Sequence, residues 1–359
     1  MPVKRGVAPM PKSRAEFFAE LFPEAPKYRL EQLQKALFGN ARSWDEVSTI
    51  PKEWRTKLTA SVPFLSLTRT TTMHGAKGDT HKALLKTSDG KVMESVLMRN
   101  AREDWTICVS SQIGCAMACN FCATGRMGLT RNLSADEIVD QYRVWQQYLT
   151  DHPELPQRIS NVVYMGMGEP LANYEQVRQS LVALLEYTDL GPTHITVSTV
   201  GLIPALRKLI NDPTWPVVRL AVSLHSAEAD VRKSFMPTSY DSFLLDLATW
   251  TADYFAKFES RRRHLTFEYV MLDGINNTPA AARALAKFSN KVGHVKVNLI
   301  PYNMTEAKYI RPGMLSTQAF AKLLRDSGVD VTRRRTMGDD IDAACGQLAN
   351  KVGDGEVAE

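Results

Sequence analysis

From about residue 105 the chain alternates between short apolar runs and longer amphipathic stretches, and this alternation limits the fold more than any other feature. The runs 105–109, 161–165, 194–198, 218–223, 265–270 and 295–300 have the length and β-branched content of buried strands. Between them, 135–149, 174–186, 204–210, 244–257 and 279–292 place apolar residues at helical spacing. Ser134 and Glu137 form a capping-box signature at the head of the first. Repeated βα units predict an α/β fold: a parallel sheet, open or closed into a partial barrel, with helices packed outside. In both arrangements the chemistry sits at the C-terminal ends of the strands. A last helix, 316–327, and a short strand, 329–333, lead into a tail that carries Cys345, and its final residues, 353–359, are expected to fray.

The residues before this series read differently. Ser13 is placed to cap a helix, 28–38 carries Leu30, Leu33, Leu37 and Phe38 at helical spacing, and Pro51 opens a stretch with Trp54 and Leu58 on one face. Residues 61–80 are rich in Thr and Ser and read as a connection. The runs 83–86 and 92–98 flank Ser88-Asp89-Gly90, a hairpin turn. The expected organisation is therefore a helical module over 1–80, a connecting hairpin over 81–104, the βα body over 105–335 and a C-terminal extension over 336–359.

Residues 1–86 hold 15 Lys and Arg against 8 Asp and Glu, although the whole chain carries only +5. A basic segment on a near-neutral body suits a polyanion such as RNA, or is an ordinary solvated face. No apolar run reaches the roughly 18–20 residues that span a bilayer, and residues 1–14 lack the apolar core of a signal peptide. The expected location is the cytoplasm, without membrane attachment. The five cysteines, an odd number, argue against a disulfide framework.

Three of the five lie in Cys115-Ala-Met-Ala-Cys119-Asn-Phe-Cys122, on the loop after the first strand of the series. This C-x3-C-x2-C spacing offers three thiolates to a [4Fe–4S] cubane and leaves one iron open to chelate S-adenosylmethionine (AdoMet). A structural zinc site usually takes four Cys or His ligands, and an ordinary ferredoxin cluster takes four cysteines. Val162–Pro170, Val-Val-Tyr-Met-Gly-Met-Gly-Glu-Pro, ends the second strand in a glycine-rich turn. There Gly166 and Gly168 would let backbone approach a ligand and Glu169 could offset an ammonium.

Together with Ser-Ser-Gln-Ile-Gly-Cys (110–115), Cys-Ala-Thr-Gly (122–125), Arg-Asn-Leu (131–133), Ser-Thr-Val-Gly (198–201), Ser-Leu-His (223–225), Asn-Leu-Ile-Pro-Tyr-Asn (298–303) and the tail 339–348, these motifs resemble the RlmN/Cfr family of radical AdoMet RNA adenine methyltransferases. The resemblance covers almost the whole chain and implies a partial (β/α)6 barrel with a helical N-terminal domain. It implies that Cys115, Cys119 and Cys122 hold the cluster and that Gly168, Glu169, Ser198, Ser223, Leu224, His225 and Asn303 contact AdoMet. It further implies that Cys345 carries a methyl group as S-methylcysteine, that Cys108 resolves the protein–RNA adduct through a transient disulfide, and that Glu94 accepts the ring proton, a task also open to Cys108. Two AdoMet molecules per turnover and an external donor such as flavodoxin or ferredoxin belong to the same expectation.

The substrates expected on this resemblance are an adenosine of the peptidyl-transferase centre in 23S rRNA, methylated at C2, and the tRNA adenosine beside the anticodon. Val200, where the C2 branch often has Ser, and a Glu94–Cys108 segment one residue longer than in many C2 members keep C8 methylation as the alternative. A non-catalytic RNA-binding protein with a zinc knuckle is the alternative from another class.

Overall fold

The computed structural model describes residues 8–258 and 265–349; Lys4, Arg5 and the expected frayed end lie outside them. Helices α1 (Arg14–Leu21), α2 (Lys27–Leu37) and α3 (Lys52–Ser61) form the N-terminal module. It has its own apolar core around Phe18, Leu33, Trp44, Leu58 and Val62. Ser13 does cap α1: it accepts from the Glu16 N–H, and the Glu16 carboxylate accepts from the Ser13 N–H at 2.7 Å.

The connection expected over 61–80 contains a strand. Residues β1 (Leu67–His74), β2 (Thr80–Thr87) and β3 (Val92–Arg99) pair antiparallel in sequence, and β3 pairs antiparallel with β4 (Trp105–Cys108). The Thr-rich stretch is β-branched and takes the sheet edge. The hairpin is thus continuous with the sheet of the βα body.

The series then runs α5 (Ala135–Asp151), β7 (Ile159–Tyr164), α6 (Tyr174–Tyr187), β8 (Ile195–Thr199), α7 (Ile203–Asn211), β9 (Arg219–Ser223), α8 (Ala229–Phe235), α9 (Phe243–Lys257), β10 (Leu265–Met271), α10 (Pro279–Val292), β11 (Val295–Pro301), α11 (Met314–Asp326) and β12 (Asp330–Arg333). Between β4 and α5 a small pair, β5 (Gln112–Gly114) and β6 (Leu129–Asn132), brackets the cysteine loop and α4 (Ala123–Met127). The sheet order is β1-β2-β3-β4-β7-β8-β9-β10-β11-β12, with every pair from β4 onward parallel. Each new parallel strand joins on the same side as the last, so right-handed crossovers put the helices on one face and the sheet curls as a partial barrel. The short strand expected at 329–333 completes it as a seventh parallel strand.

Outward residues such as Val162, Val197, Leu220, Phe267 and Leu299 are buried against the helices. Register places the polar exceptions on the other face. Ser223 pairs with Glu268, Glu268 with Asn298, and Asn298 with Thr332, while Cys108 pairs with Val163. Because side chains alternate with period two, Cys108, Ser198, Ser223, Glu268 and Arg334 share the concave inner face.

One ionic network and one set of hydrogen bonds hold the accessory parts. Arg14 pairs with Asp140 and Asp136, Asp140 pairs with Arg143 at 2.5 Å, and Arg143 donates to the Leu37 and Phe64 carbonyls, so buried charges dock the N-terminal module onto α5. The tail crosses the open side of the barrel toward β1 and β2. There the Ala76 N–H donates to Asp340 Oδ2 at 2.7 Å, and Lys82 Nζ donates to the Asp342 carbonyl. Among the described residues no helix is long and apolar enough to cross a membrane.

Candidate active site

The cysteine loop is pinned beside each cysteine by backbone hydrogen bonds. The Cys115 N–H donates to the Gly128 carbonyl at 3.0 Å, Cys122 to the Cys119 carbonyl at 3.1 Å, and Asn120 to the Phe235 carbonyl at 2.9 Å. Gly125 is required here, since a Cβ would sit 2.8 Å from the Cys119 carbonyl oxygen. The three thiols line one cavity at the C-terminal ends of the strands, together with Gly168, Glu169, Ser198, Ser223 and His225. Burial pushes the Cys115 thiol up to about 12 and raises those of Cys119 and Cys122 as well. Three adjacent buried thiolates therefore need a cationic partner. The donor set fits an iron–sulfur cubane. Among the described residues no three Cys, His, Asp or Glu side chains converge as they would about one metal ion.

Glu169 is buried in the turn after β7. Its carboxylate accepts from the Leu171 N–H at 2.9 Å and the Val200 N–H at 2.8 Å, and its own N–H donates to Gln112 Oε1 at 2.8 Å. Burial outweighs these donors and pushes its carboxyl up to about 7. The glycines before it line the cavity and also allow a close contact within the chain. A Cβ on Gly166 would strike Ser110 and Val109, and one on Gly168 would lie 2.5 Å from Gln112. Their bareness packs the turn onto the chain leading into the cysteine loop.

His225 takes a left-handed backbone (φ 59°) at the end of β9. Its Nδ1 accepts from the Val270 N–H at 3.0 Å, and its ring stands edge-on to Phe121 at 5.1 Å. Burial, helped by nearby Arg232, lowers its pKa to about 3. The ring is therefore neutral, and with Nδ1 accepting, the proton is on Nε2. Ser198 and Ser223 face each other across neighbouring strands with their hydroxyls 3.5 Å apart.

Cys345 lines this cavity and also a second, open cleft beside it. Its carbonyl accepts from Asn303 Nδ2 at 3.1 Å, and the next residue, Gly346, accepts from the Ala123 N–H at 2.7 Å, which fastens the tail to β11 and to α4. Cys108 is buried on the inner face, its thiol pushed up to about 12 by burial and further by Cys345, while Arg334 acts the other way. All five cysteines are free thiols.

Not every expected residue faces the cavity. Leu224 is buried in the main core, and its carbonyl accepts from Arg232 Nε at 3.0 Å. Asn303 lines the neighbouring cleft and holds the tail. Glu94 lies on the inner face of β3, fully buried and paired with Lys82 at 3.1 Å. Cys108 stands in register opposite Val96, so the Glu94–Cys108 segment turns in the loop joining β3 to β4.

Two charged residues of the site escaped sequence reasoning. Arg334 lines both cavities, donates to Met165 Sδ at 3.4 Å, and is held above its ordinary pKa chiefly by Cys345, with Glu268 and Cys108 adding. Glu268 accepts from Asn298 Nδ2 at 2.9 Å, and burial raises its pKa. A carboxylate inside the apolar run 265–270 was a visible signal. Arg334 was hidden in Arg333-Arg334-Arg335, which reads as a solvated run.

Residues 109–282 match the Radical SAM superfamily. Over 358 residues the chain is 37% identical to a protein of Symbiobacterium thermophilum named "Probable dual-specificity RNA methyltransferase RlmN", covering 97% of this chain and 92% of that one. A protein of the same name from Picosynechococcus sp. is 40% identical, with 91% of each covered. The crystal structure of a radical SAM methyltransferase from Sphaerobacter thermophilus superposes with a TM-score of 0.84 at 38% identity, covering 93% of this chain and 96% of that one.

Proposed function

This chain belongs to the RlmN family of radical SAM RNA methyltransferases, and from that premise we propose that it methylates C2 of an RNA adenosine, with Cys345 as methyl carrier and Cys108 as the thiol that frees the product. The observation that carries this reading is the position of Cys345, on the wall between the cavity of the three thiols and a cleft open to solvent.

When bound, the cluster and AdoMet supply the methyl group and a 5′-deoxyadenosyl radical that takes hydrogen from it. Cys115, Cys119 and Cys122 would hold the cluster. Gly168, Glu169, Ser198, Ser223 and His225 would orient AdoMet, Leu224 through its backbone and Asn303 through the tail it fastens. Glu169 offers a carboxylate to the ammonium, and neutral His225 offers an Nε2–H.

The methylene carbon would bond to the ring carbon, whose hydrogen leaves as a proton while the one surplus electron returns to the cluster, so that the RNA would hang from Cys345 by a sulfur–methylene bond. Cys108, as thiolate, attacks the Cys345 sulfur. The S–C bond breaks, its electron pair stays on the methylene carbon, which takes up a proton to become the methyl group, and a Cys108–Cys345 disulfide is left for an external reductant. Arg334, which opposes the effect of burial on Cys108, would favour its thiolate. Glu94 would accept the proton displaced from the ring, with Lys82 holding its carboxylate in place at 3.1 Å.

The proposed substrates are an adenosine of the peptidyl-transferase centre in 23S rRNA and the tRNA adenosine next to the anticodon. The scheme uses two AdoMet per turnover and an electron donor such as flavodoxin or ferredoxin, in the cytoplasm. Mass spectrometry of nucleosides, after incubation of reconstituted enzyme with each RNA, tests it. The expected product is 2-methyladenosine. Finding 8-methyladenosine would assign the chain to the C8 branch, and finding neither would overturn the proposal.

A further inference from the structure

Two openings flank the tail segment that presents Cys345, and they differ in charge. One, lined by Ala344 and Cys345 themselves, is a cleft of about 570 Å³ with Lys77, Arg99, Arg334 and Arg335 against Asp79 and Glu103, a surplus of two positive charges. The other, lined by Asp342 and Gln347 on the far side of the tail, has Arg126 against Glu306 and Asp342, one negative charge in excess. A polyanion is drawn to the first opening and repelled by the second.

The walls of the basic cleft are two loops that the fold ties together. The β1–β2 turn supplies Lys77 and Asp79, and the β3–β4 loop supplies Glu103. The Arg99 N–H donates to the Asp79 carbonyl at 2.8 Å. Both acids are engaged by arginines: Glu103 lies 3.3 Å from Arg99 and Asp79 lies 3.5 Å from Arg335. The Arg335 side chain remains 73% exposed, and Lys77 is exposed. Two exposed cations therefore line the same cleft as Cys345, the proposed methyl carrier.

We propose that this cleft is the RNA entrance: Lys77 and Arg335 grip the phosphates flanking the reacting adenosine, which reaches Cys345 from the β1–β2 side of the tail. The inference rests on the RNA methyltransferase reading above and adds the route and the contacts. It also narrows the grip expected of the basic N-terminal segment to its residue Lys77, beside the cleft. There Arg14 is spent on Asp136 and Asp140, Arg42 on Asp151 and Lys82 on Glu94, whereas Lys77 faces the cleft.

The test uses the full-length protein and an RNA stem–loop with one unpaired adenosine, measuring affinity across a salt series. Each phosphate contact contributes a slope of about 0.7–0.9 in log K against log salt, or roughly five- to eightfold in affinity at 0.1 M salt. Lys77→Gln/Arg335→Gln should bind about 25- to 60-fold more weakly at 0.1 M salt, with the slope shallower by about 1.4–1.8, and with an unchanged urea midpoint. Arg126→Gln, at the other opening, should bind as wild type. Wild-type affinity and slope in the double variant, or loss in Arg126→Gln instead, overturns the assignment of the entrance. Absence of salt-dependent RNA binding by the wild type is a separate outcome, which sinks the methyltransferase reading and this inference with it.

Discussion

Gly114, immediately before the first cluster cysteine, is the position where one added methyl group should disconnect fold from chemistry. Its φ is +76°, and a Cβ built on it falls 1.9 Å from the Gly128 carbonyl oxygen, about 1.5 Å short of ordinary contact. The obstacle is backbone, so no rotamer change relieves it. That same carbonyl accepts the Cys115 N–H at 3.0 Å, so relief must displace Cys115. Gly90 supplies the control: it has the same φ of +76°, with only the end of the Lys86 side chain 4.0 Å away. The left-handed backbone alone costs alanine about 1–2 kcal/mol at either site. At Gly114 the clash adds about 1–3 kcal/mol of overpacking and the lost hydrogen bond about 1. Gly114→Ala should therefore be about 2–4 kcal/mol less stable than Gly90→Ala in urea unfolding of the metal-free protein. After anaerobic reconstitution it should retain far less iron, while Gly90→Ala holds the wild-type amount. Equal stabilities and equal iron in the two variants would refute the close approach of β5 to β6 and the account of how Cys115 is placed.

Two further substitutions test the scaffold. Arg14→Ala leaves Asp140 with Arg143 as its remaining ion-pair partner and opens the seam between the N-terminal module and α5; breaking such a buried pair should cost about 3–5 kcal/mol, and a loss under 1 kcal/mol in urea unfolding would mean the network does not hold the module. His81, buried against Trp105 and 2.7 Å from His74, has its pKa lowered to about 4 by burial and by its histidine neighbours. The unfolded chain binds this proton from about pH 6.5 downward and the folded protein does not until about pH 4, so His81 contributes stability above pH 6.5 that is lost as pH falls toward 4. Within that window His81→Asn should reduce the slope of stability against pH by up to one proton, about 1.4 kcal/mol per unit, and an unchanged slope would show that His81 titrates normally.

The βα body was legible because its strands are apolar on the outward face and its helices are periodic, and both signals are local. The cap at Ser13 and the capping box at Ser134 were legible for the same reason, each lying within one helical turn. The strand at 67–74 was missed because it lies at an edge, where four of its residues are exposed or half-exposed in a row and no clean alternation survives. The cluster loop, Glu169, Ser198, Ser223 and His225 were found by motif and do share one cavity. The roles of the glycines were not legible, since what fills the space beside Gly166 and Gly168 is decided by Val109, Ser110 and Gln112 on another segment. Nor could sequence separate Arg334 from its arginine neighbours. Its inner-face position follows from pairing β12 parallel to β11, a long-range fact. The basic surplus of residues 1–86 did not reveal which of its cations are engaged inside the fold, as Arg14 and Lys82 are.

The account turns on two thiols with different tasks, and replacing Cys108 separates them. Cys108→Ala removes a buried thiol whose volume alanine nearly keeps, so the fold, the cluster and methylation of Cys345 should survive. The adduct should then form and stay, since Cys122, Cys119 and Cys115 are engaged by the cluster and the chain has no other cysteine. Reconstituted Cys108→Ala, incubated with AdoMet, reductant and substrate RNA, then denatured and digested with nuclease and protease, should yield a peptide in which Cys345 is joined through one methylene carbon to an adenine nucleotide. Cys345→Ala and the double variant should yield none. Normal turnover by Cys108→Ala, with methylated RNA released and no Cys345-linked nucleotide, would contradict the account.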